Sequence, residues 1–283
     1  MISSMISLLT DFGTRDVYAG VLHAVIAGIA PAVRVVDLTH DVAPQDVVEA
    51  AFLLDAAAPW FPAGTVHVCV VDPGVGSERR ILCARTPAAT FLAPDNGLLT
   101  RVLERAPGAR LNAVVERTYF LPEVSSTFHG RDVFAPVAAR LALGLDPAAL
   151  GPEVHDPVRL SLPPERPLAP GSTAGEVVHV DRYGNLVTNL RAGPHGSAVR
   201  AARVGGVEVA GPVRRSYAEQ DPRAGGGLLL ITGSTGLLEV AVRDGSARAR
   251  LGAGRGAPVE VEVEVNTGAP AAGAQGSSRG VRS

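Results

Sequence analysis

The run Val66-His67-Val68-Cys69-Val70-Val71 constrains this chain more than any other stretch. It is apolar at every position but one, so a strand built from it must be buried on both faces. A sheet with helices on both sides meets that demand. The neighbouring sequence supplies the parts. Ile6–Leu9 reads as a strand, Val17–Ile29 as a helix ending before Pro31, and Val33–Leu38 as a strand. Gln45–Ala57 reads as a helix opened by Pro44 and stopped by Pro59. Ile81–Ala84 and Thr90–Ala93 read as two more strands, Asn96–Ala106 as a helix, Ala113–Val115 as a short strand, and Asp132–Leu143 as a closing helix. The alternation predicts an α/β N-terminal domain: a largely parallel sheet covered by helices.

The second half changes character. Its apolar runs are short and separated by glycines: Gly175–Val180, Leu186–Asn189, Gly206–Val209, Gly227–Ile231, Leu237–Val242 and Val259–Val265. That pattern predicts a small antiparallel β-barrel or sandwich. The expected organisation is an α/β domain over residues 1–150, a Pro-rich linker over 151–172, a β-barrel domain over 173–266 and a disordered tail over 267–283. The tail is mostly Gly, Ala and Ser, with two Arg, and has no core-forming run.

Charge and cysteine usage narrow the function classes. The formal net charge is −2, which invites neither nucleic acid nor an acidic membrane. All 26 basic residues are Arg, which excludes Schiff-base and Walker-type lysine chemistry. Cys69 and Cys83 sit in apolar strand-like runs without metal-ligand spacing and read as buried thiols of a cytoplasmic protein. No apolar run approaches a membrane span, and the N-terminus shows no signal-peptide pattern.

Three polar corners follow apolar strands or precede a helix: Leu9-Thr10-Asp11-Phe12-Gly13, Val71-Asp72-Pro73-Gly74-Val75-Gly76, and Ser126-Thr127-Phe128-His129-Gly130-Arg131-Asp132. Together they predict one site where the carboxyl edge of the sheet opens. Asp11 is either a turn aspartate or a carboxylate for two hydroxyls. Asp72 ends the most hydrophobic strand, where a buried carboxylate needs a partner or a task. Arg79 can fold back to supply the partner, with Arg80 as the alternative, and the pair can simply pin the loop. His129 is either loop surface or a functional imidazole beside a glycine that admits a ligand. The other six histidines lack such a setting, and only His40, in Leu38-Thr39-His40-Asp41, is otherwise worth following. In the second half, Asp181-Arg182-Tyr183-Gly184-Asn185 is either a hairpin or a platform where Tyr183 stacks and Asn185 reads a purine edge bidentately. Thr232-Gly233-Ser234-Thr235-Gly236 is a second small polar loop.

With Ala93-Pro94-Asp95-Asn96-Gly97 and Tyr183-Gly184-Asn185-Leu186, these motifs resemble the S-adenosylmethionine hydrolases, or S-adenosylmethionine hydroxide adenosyltransferases. Those enzymes are relatives of fluorinating and chlorinating enzymes with the same substrate. The resemblance runs in order from Ile6 to Val265. It implies a C-terminal barrel, a homotrimer, and sites between the N-domain of one subunit and the C-domain of the next. It places Asp11 at the ribose diol, Tyr183 and Asn185 at the adenine, and Asp181 and Ser234 near the methionine amine and carboxylate. Glu239 and the backbone of Val242 fall around the base. Asp72, Arg79 and His129 match the water-handling triad. The departures point away from halogenation: halogenating relatives carry Tyr at the Asp72 position, and the fluorinating enzyme has Ser at Gly130 and Trp at Gln45. The implied reaction is attack of water at C5′ of S-adenosylmethionine, giving adenosine and methionine, with Asp72 and His129 both candidate proton acceptors. The sulfonium already activates the leaving group, so neither metal nor cofactor is implied. The rivals are a metal-dependent hydrolase using Asp11, Asp72, Asp95 and His129, a non-catalytic binder of adenosine or S-adenosylmethionine, and a halogenase.

Overall fold

The structure is a computed structural model that describes residues 5–191, 199–219 and 227–263. The expected tail, 267–283, lies outside the described residues, as do His195 and the last two positions of the strand expected over Val259–Val265. The chain divides into two compact units, the first running through Leu162 and the second starting at Pro163.

The first unit follows the expected alternation. Its strands are β1 (Met5–Thr10), β2 (Arg34–Thr39), β3 (Val66–Val70), β4 (Ile81–Arg85), β5 (Thr90–Pro94) and β6 (Arg110–Ala113); its helices are α1 (Tyr18–Ile29), α2 (Val47–Ala57), α3 (Thr100–Arg105) and α4 (Ala135–Ala142). The sheet order is β2-β1-β3-β5-β4-β6. Strands β2, β1, β3 and β5 run parallel, while β4 lies antiparallel between β5 and β6.

All five residues of β3 are buried. The period-2 pleat splits the apolar side chains between two cores. Ile6, Leu8, Val66, Val68 and Val70 pack with Leu22 and Ile26 of α1 and Val137 and Leu141 of α4. On the other face Leu9, Cys69 and Val71 pack with Leu54 of α2 and Val102 and Leu103 of α3. Cys69 and Cys83 are free and buried, and burial pushes the Cys83 thiol up to about 12.

The chain passes from β1 to β2 on one side and then crosses to β3 on the other, so β1 and β3 flank a point where the winding reverses. In such sheets a crevice opens beyond the carboxyl ends of the two strands. Asp11 follows β1 and Asp72 follows β3.

Two expected helices begin late. Over Asn96–Ala106, helix forms only from Thr100. Asn96 Oδ1 accepts from Leu98 N and its Nδ2 donates to Val71 O, and Gly97 has φ +94°, so side-chain bonds turn the segment into a loop. Over Gln45–Ala57, helix starts at Val47, capped by Asp46, whose carboxylate accepts from Glu49 N at 2.9 Å. Gln45 itself sits at φ +65°. The helix expected from Asp132 is entered through a π-helical turn, Gly130–Phe134, ahead of α4.

The second unit holds β7 (Arg166–Ala169), β8 (Ser172–Val180), β9 (Leu186–Arg191), β10 (Val199–Val204), β11 (Val207–Ala210), β12 (Leu228–Thr232), β13 (Leu237–Val242), α5 (Ala247–Leu251) and β14 (Pro258–Val263). The order is β11-β10-β14-β8-β9-β13-β12, with β7 on β8 and antiparallel pairing throughout. The end strands β11 and β12 lie beside each other, and a bridge joins Arg214 to Ile231, so the sheet is a nearly closed barrel. Its core includes Val177, Leu186, Val204, Leu230, Val240 and Val259. The Pro-rich stretch 151–172 is divided between the two units and contains β7. Among the described residues no helix is long and apolar enough to cross a membrane.

Candidate active site

Asp72 leaves β3 with its side chain only 5% exposed. The turn Pro73–Ser77 returns the chain, and Arg79 clamps the carboxylate. Arg79 Nε donates to Asp72 Oδ1 and Oδ2 at 2.9 and 3.0 Å, and Nη2 donates to Oδ2 at 2.5 Å. The two candidate partners have separate tasks. Arg80 Nε donates to Asp95 Oδ2 at 2.7 Å and its Nη1 to Asp156 at 2.8 Å.

Gly76 has φ +79°, and a Cβ there would collide with the Ser126 carbonyl oxygen. The missing side chain lets the 72–79 turn press against the loop that carries His129. Arg79 Nη2 then reaches His129 Nδ1 at 2.9 Å, so one guanidinium joins the acid to the imidazole. A guanidinium only donates, so Nδ1 accepts and the neutral ring keeps its hydrogen on Nε2. Burial and the Arg79 charge hold the His129 pKa below 6.5, against the opposite pull of Asp72 and Asp132. The ring is therefore neutral near pH 7.

The His129 loop is held from below. Asp132 Oδ2 accepts from Ser125 N at 2.9 Å and Oδ1 from Arg131 Nε at 2.6 Å. Gly130 is buried, and a Cβ there would stand 3.2–3.3 Å from Phe12 and Phe128. The glycine was expected to admit a ligand; the space is occupied by aromatic rings. Phe12, Phe128 and Tyr18 form a trio with centroids 5.1–5.9 Å apart.

Asp11 Oδ2 accepts from Gln45 N at 2.8 Å. The left-handed backbone at Gln45 aims that N–H at the carboxylate and ties the loop after β1 to the one before α2. Asp95, offered above as a metal ligand beside Asp11, Asp72 and His129, is held by Arg80 and by Val158 N at 2.8 Å. Asp72 is likewise held by Arg79.

In the second unit, Asp181 organises the hairpin. Its Oδ1 accepts from Tyr183 N and Asn185 N at 2.9 and 2.8 Å, and its Oδ2 from Asn185 Nδ2 at 2.8 Å. Asn185 Nδ2 also donates to the Tyr217 hydroxyl at 3.1 Å. Both amide hydrogens are thus engaged, which leaves Oδ1 rather than a bidentate face for a purine. Tyr183, Asn185, Tyr217 and Val242 line a cleft of about 650 Å³, and Tyr183 is 77% exposed. Glu239 lies behind Gly233, where a Cβ would fall on its carboxyl group. Burial first and Asp181 second raise the Glu239 pKa to about 7. Ser234 is exposed in the loop between β12 and β13.

Sequence reading missed Tyr217, which carries no spacing signal in the polar loop before β12. It also passed over Asp37, three residues before His40, and His23, which the fold brings to both.

Comparison with known proteins gives consistent results. Residues 6–151 match the SAM hydroxide adenosyltransferase N-terminal domain and residues 175–260 the C-terminal domain of the same family. An (R)-S-adenosyl-L-methionine hydrolase from Thermus thermophilus is 44% identical over 252 residues, covering 86% of this chain and 94% of the relative. One from Salinispora tropica is 42% identical, covering 87% and 93%. A crystal structure of an uncharacterized conserved protein from Thermotoga maritima superposes with a TM-score of 0.85 at 36% identity, covering 91% of this chain and 99% of that one.

Proposed function

The chain belongs to the SAM hydroxide adenosyltransferase family, and we propose that it hydrolyses (R)-S-adenosyl-L-methionine to adenosine and L-methionine. The observation that carries the reading is the single guanidinium shared by Asp72 and His129. Water attacks C5′ in line with the C–S bond, whose electron pair leaves on the sulfur of neutral methionine. The attacking oxygen becomes the 5′-hydroxyl as it loses a proton. With Nδ1 of His129 bound to Arg79 and Nε2 already protonated, the imidazole orients the water as a donor. Asp72 keeps lone pairs beyond those Arg79 uses and takes the proton. General-base help of this kind is worth roughly 10²–10⁴-fold. The leaving group carries its own activation, so this route calls for neither metal nor cofactor.

Asp11 is assigned to the ribose diol, Tyr183 to stacking on the adenine, and Asn185 Oδ1 to an N–H of the base. Asp181 and Ser234 are assigned to the methionine end, with Glu239 and the Val242 backbone near the base. The reacting groups and Asp11 lie in the first unit, and the groups assigned to the base and the methionine end lie in the second. That separation, with the family resemblance, supports a homotrimer whose sites are shared between chains. Buried free Cys69 and Cys83 fit a reducing cytoplasm.

The test is incubation with (R)- and (S)-S-adenosylmethionine in ¹⁸O-water with mass analysis of the nucleoside. The expected product is adenosine labelled at the 5′-hydroxyl, formed faster from the (R) epimer. Unlabelled adenosine, or a 5′-halogenated nucleoside in high halide, overturns the reading.

A further inference from the structure

Outside the site described above, three side chains from separate elements converge beside the first polar corner. His23 comes from α1, Asp37 from β2, and His40 from the turn after β2. His23 Nε2 stands 2.7 Å from Asp37 Oδ1 and His40 Nε2 stands 3.1 Å from the same oxygen. One nitrogen or oxygen atom from each residue lies within 4.8 Å of the others. Ligands on a tetrahedral ion with bonds of ~2.0–2.1 Å stand about 3.3 Å apart. Both distances to Asp37 are shorter than that spacing, and the ring nitrogens must adjust to meet it on an ion.

A second observation points into the cluster. The His40 side chain is 4% exposed, and its buried Nε2 points at Asp37 Oδ1, 3.1 Å away. A buried imidazole nitrogen and a carboxylate oxygen this close must share either a proton or a cation. The other nitrogen, Nδ1, lies 2.8 Å from the Thr10 hydroxyl. Metal-binding histidines are typically fixed in this way by an oxygen on the far side of the ring. His23 and Asp37 are 37% and 46% exposed, which leaves an entry path and room for a water.

We propose that His23, Asp37 and His40 form a three-ligand site for a divalent transition-metal ion of the zinc class, with water as the fourth ligand. Two imidazoles and a carboxylate suit such an ion better than magnesium or calcium, which prefer oxygen donors. The site is structural. Gly13 N donates to His40 O at 2.7 Å and Phe12 N to Thr10 Oγ1 at 3.2 Å, so the ion braces the loop that carries Asp11.

The test uses the full, tag-free chain, stripped with chelator and titrated with Co²⁺ and Zn²⁺ by calorimetry, with Mg²⁺ as a control. The expected result is one equivalent of Co²⁺ or Zn²⁺, visible absorption bands of tetrahedral Co²⁺, and a rise in Tm that Mg²⁺ does not produce. His23→Ala and Asp37→Asn, both at partly exposed positions, should each lose at least about 10–100-fold in affinity. Their far-UV circular dichroism should stay at the parent's. Uptake below one equivalent by the parent, or unchanged affinity in both folded variants, overturns the proposal.

Discussion

Replacing His129 by Gln separates the two roles an imidazole can play here. A glutamine amide offers an acceptor for Arg79 Nη2 and a donor for the water, as the neutral ring does, but it cannot take up a proton. His129→Ala removes the 2.9 Å bond from Arg79, leaves that guanidinium hydrogen unpaired, and removes the donor to water. A charged hydrogen bond is worth roughly 1.5–3 kcal/mol. At about 1.4 kcal/mol per tenfold, the alanine variant should lose about 10–100-fold in kcat. The glutamine variant should stay within about tenfold of the parent if the ring only donates. The pH profile gives a second reading. Because the His129 pKa is held below 6.5, the protonated ring accumulates only as pH falls below that value. The parent rate should therefore hold through pH 6.5 and drop at lower pH, and His129→Gln should lack this limb. Initial rates of adenosine release by liquid chromatography between pH 5 and 9 measure both. A glutamine variant as slow as alanine, down by roughly 10²-fold or more, would refute the donor assignment and make His129 the base.

Asp11→Ala should raise KM more than it lowers kcat, because a diol contact is remote from the reacting carbon; steady-state kinetics decide it. Glu239→Gln should stabilise the protein above pH 7. The rise from 4.5 to about 7 means the parent loses stability as pH climbs through that window. The effect is roughly 3 kcal/mol at full burial and about 1–2 for this half-buried group after solvent screening, measured by urea unfolding at pH 5 and pH 8. Co-refolding inactive Asp72→Ala chains with inactive Asn185→Ala chains should restore part of the activity if sites are shared between chains. Activity that stays at the single-mutant level, or a fully active monomer by light scattering, would reject sharing.

The fold was legible where burial follows periodicity. The unbroken apolar run at β3 demanded two covered faces, and the Pro and Gly boundaries located α1, β1 and β2 closely. Reading failed where a side chain competes with the backbone. Asn96 carries no signal of its own that it will bond Val71 O and Leu98 N, so the start of α3 shifted to Thr100. β10, Val199–Val204, has two arginines and two alanines among its six residues and shows no clean alternation. At the site, the Asp72 and Arg79 pairing was visible as a possibility because a turn places them seven positions apart. The choice between Arg79 and Arg80 depends on Asp95 and Asp156, which claim Arg80 from distant positions. Asp37 and His40 are three residues apart, but His23 reaches them only because α1 lies beside β2, which no local pattern encodes.

Arg79's double attachment also bears on how such a site can change over generations. Its guanidinium and the Asp72 carboxylate are both largely buried, so losing either one first strands a charge, at a cost of about 3–5 kcal/mol. His129 is the neutral member, and its loss leaves the ion pair intact. A lineage drifting toward another nucleophile therefore has one inexpensive first step, at His129. Asp72 and Arg79 must then be replaced almost together, or behind a stabilising change elsewhere. The order of substitutions is imposed by which partner carries charge.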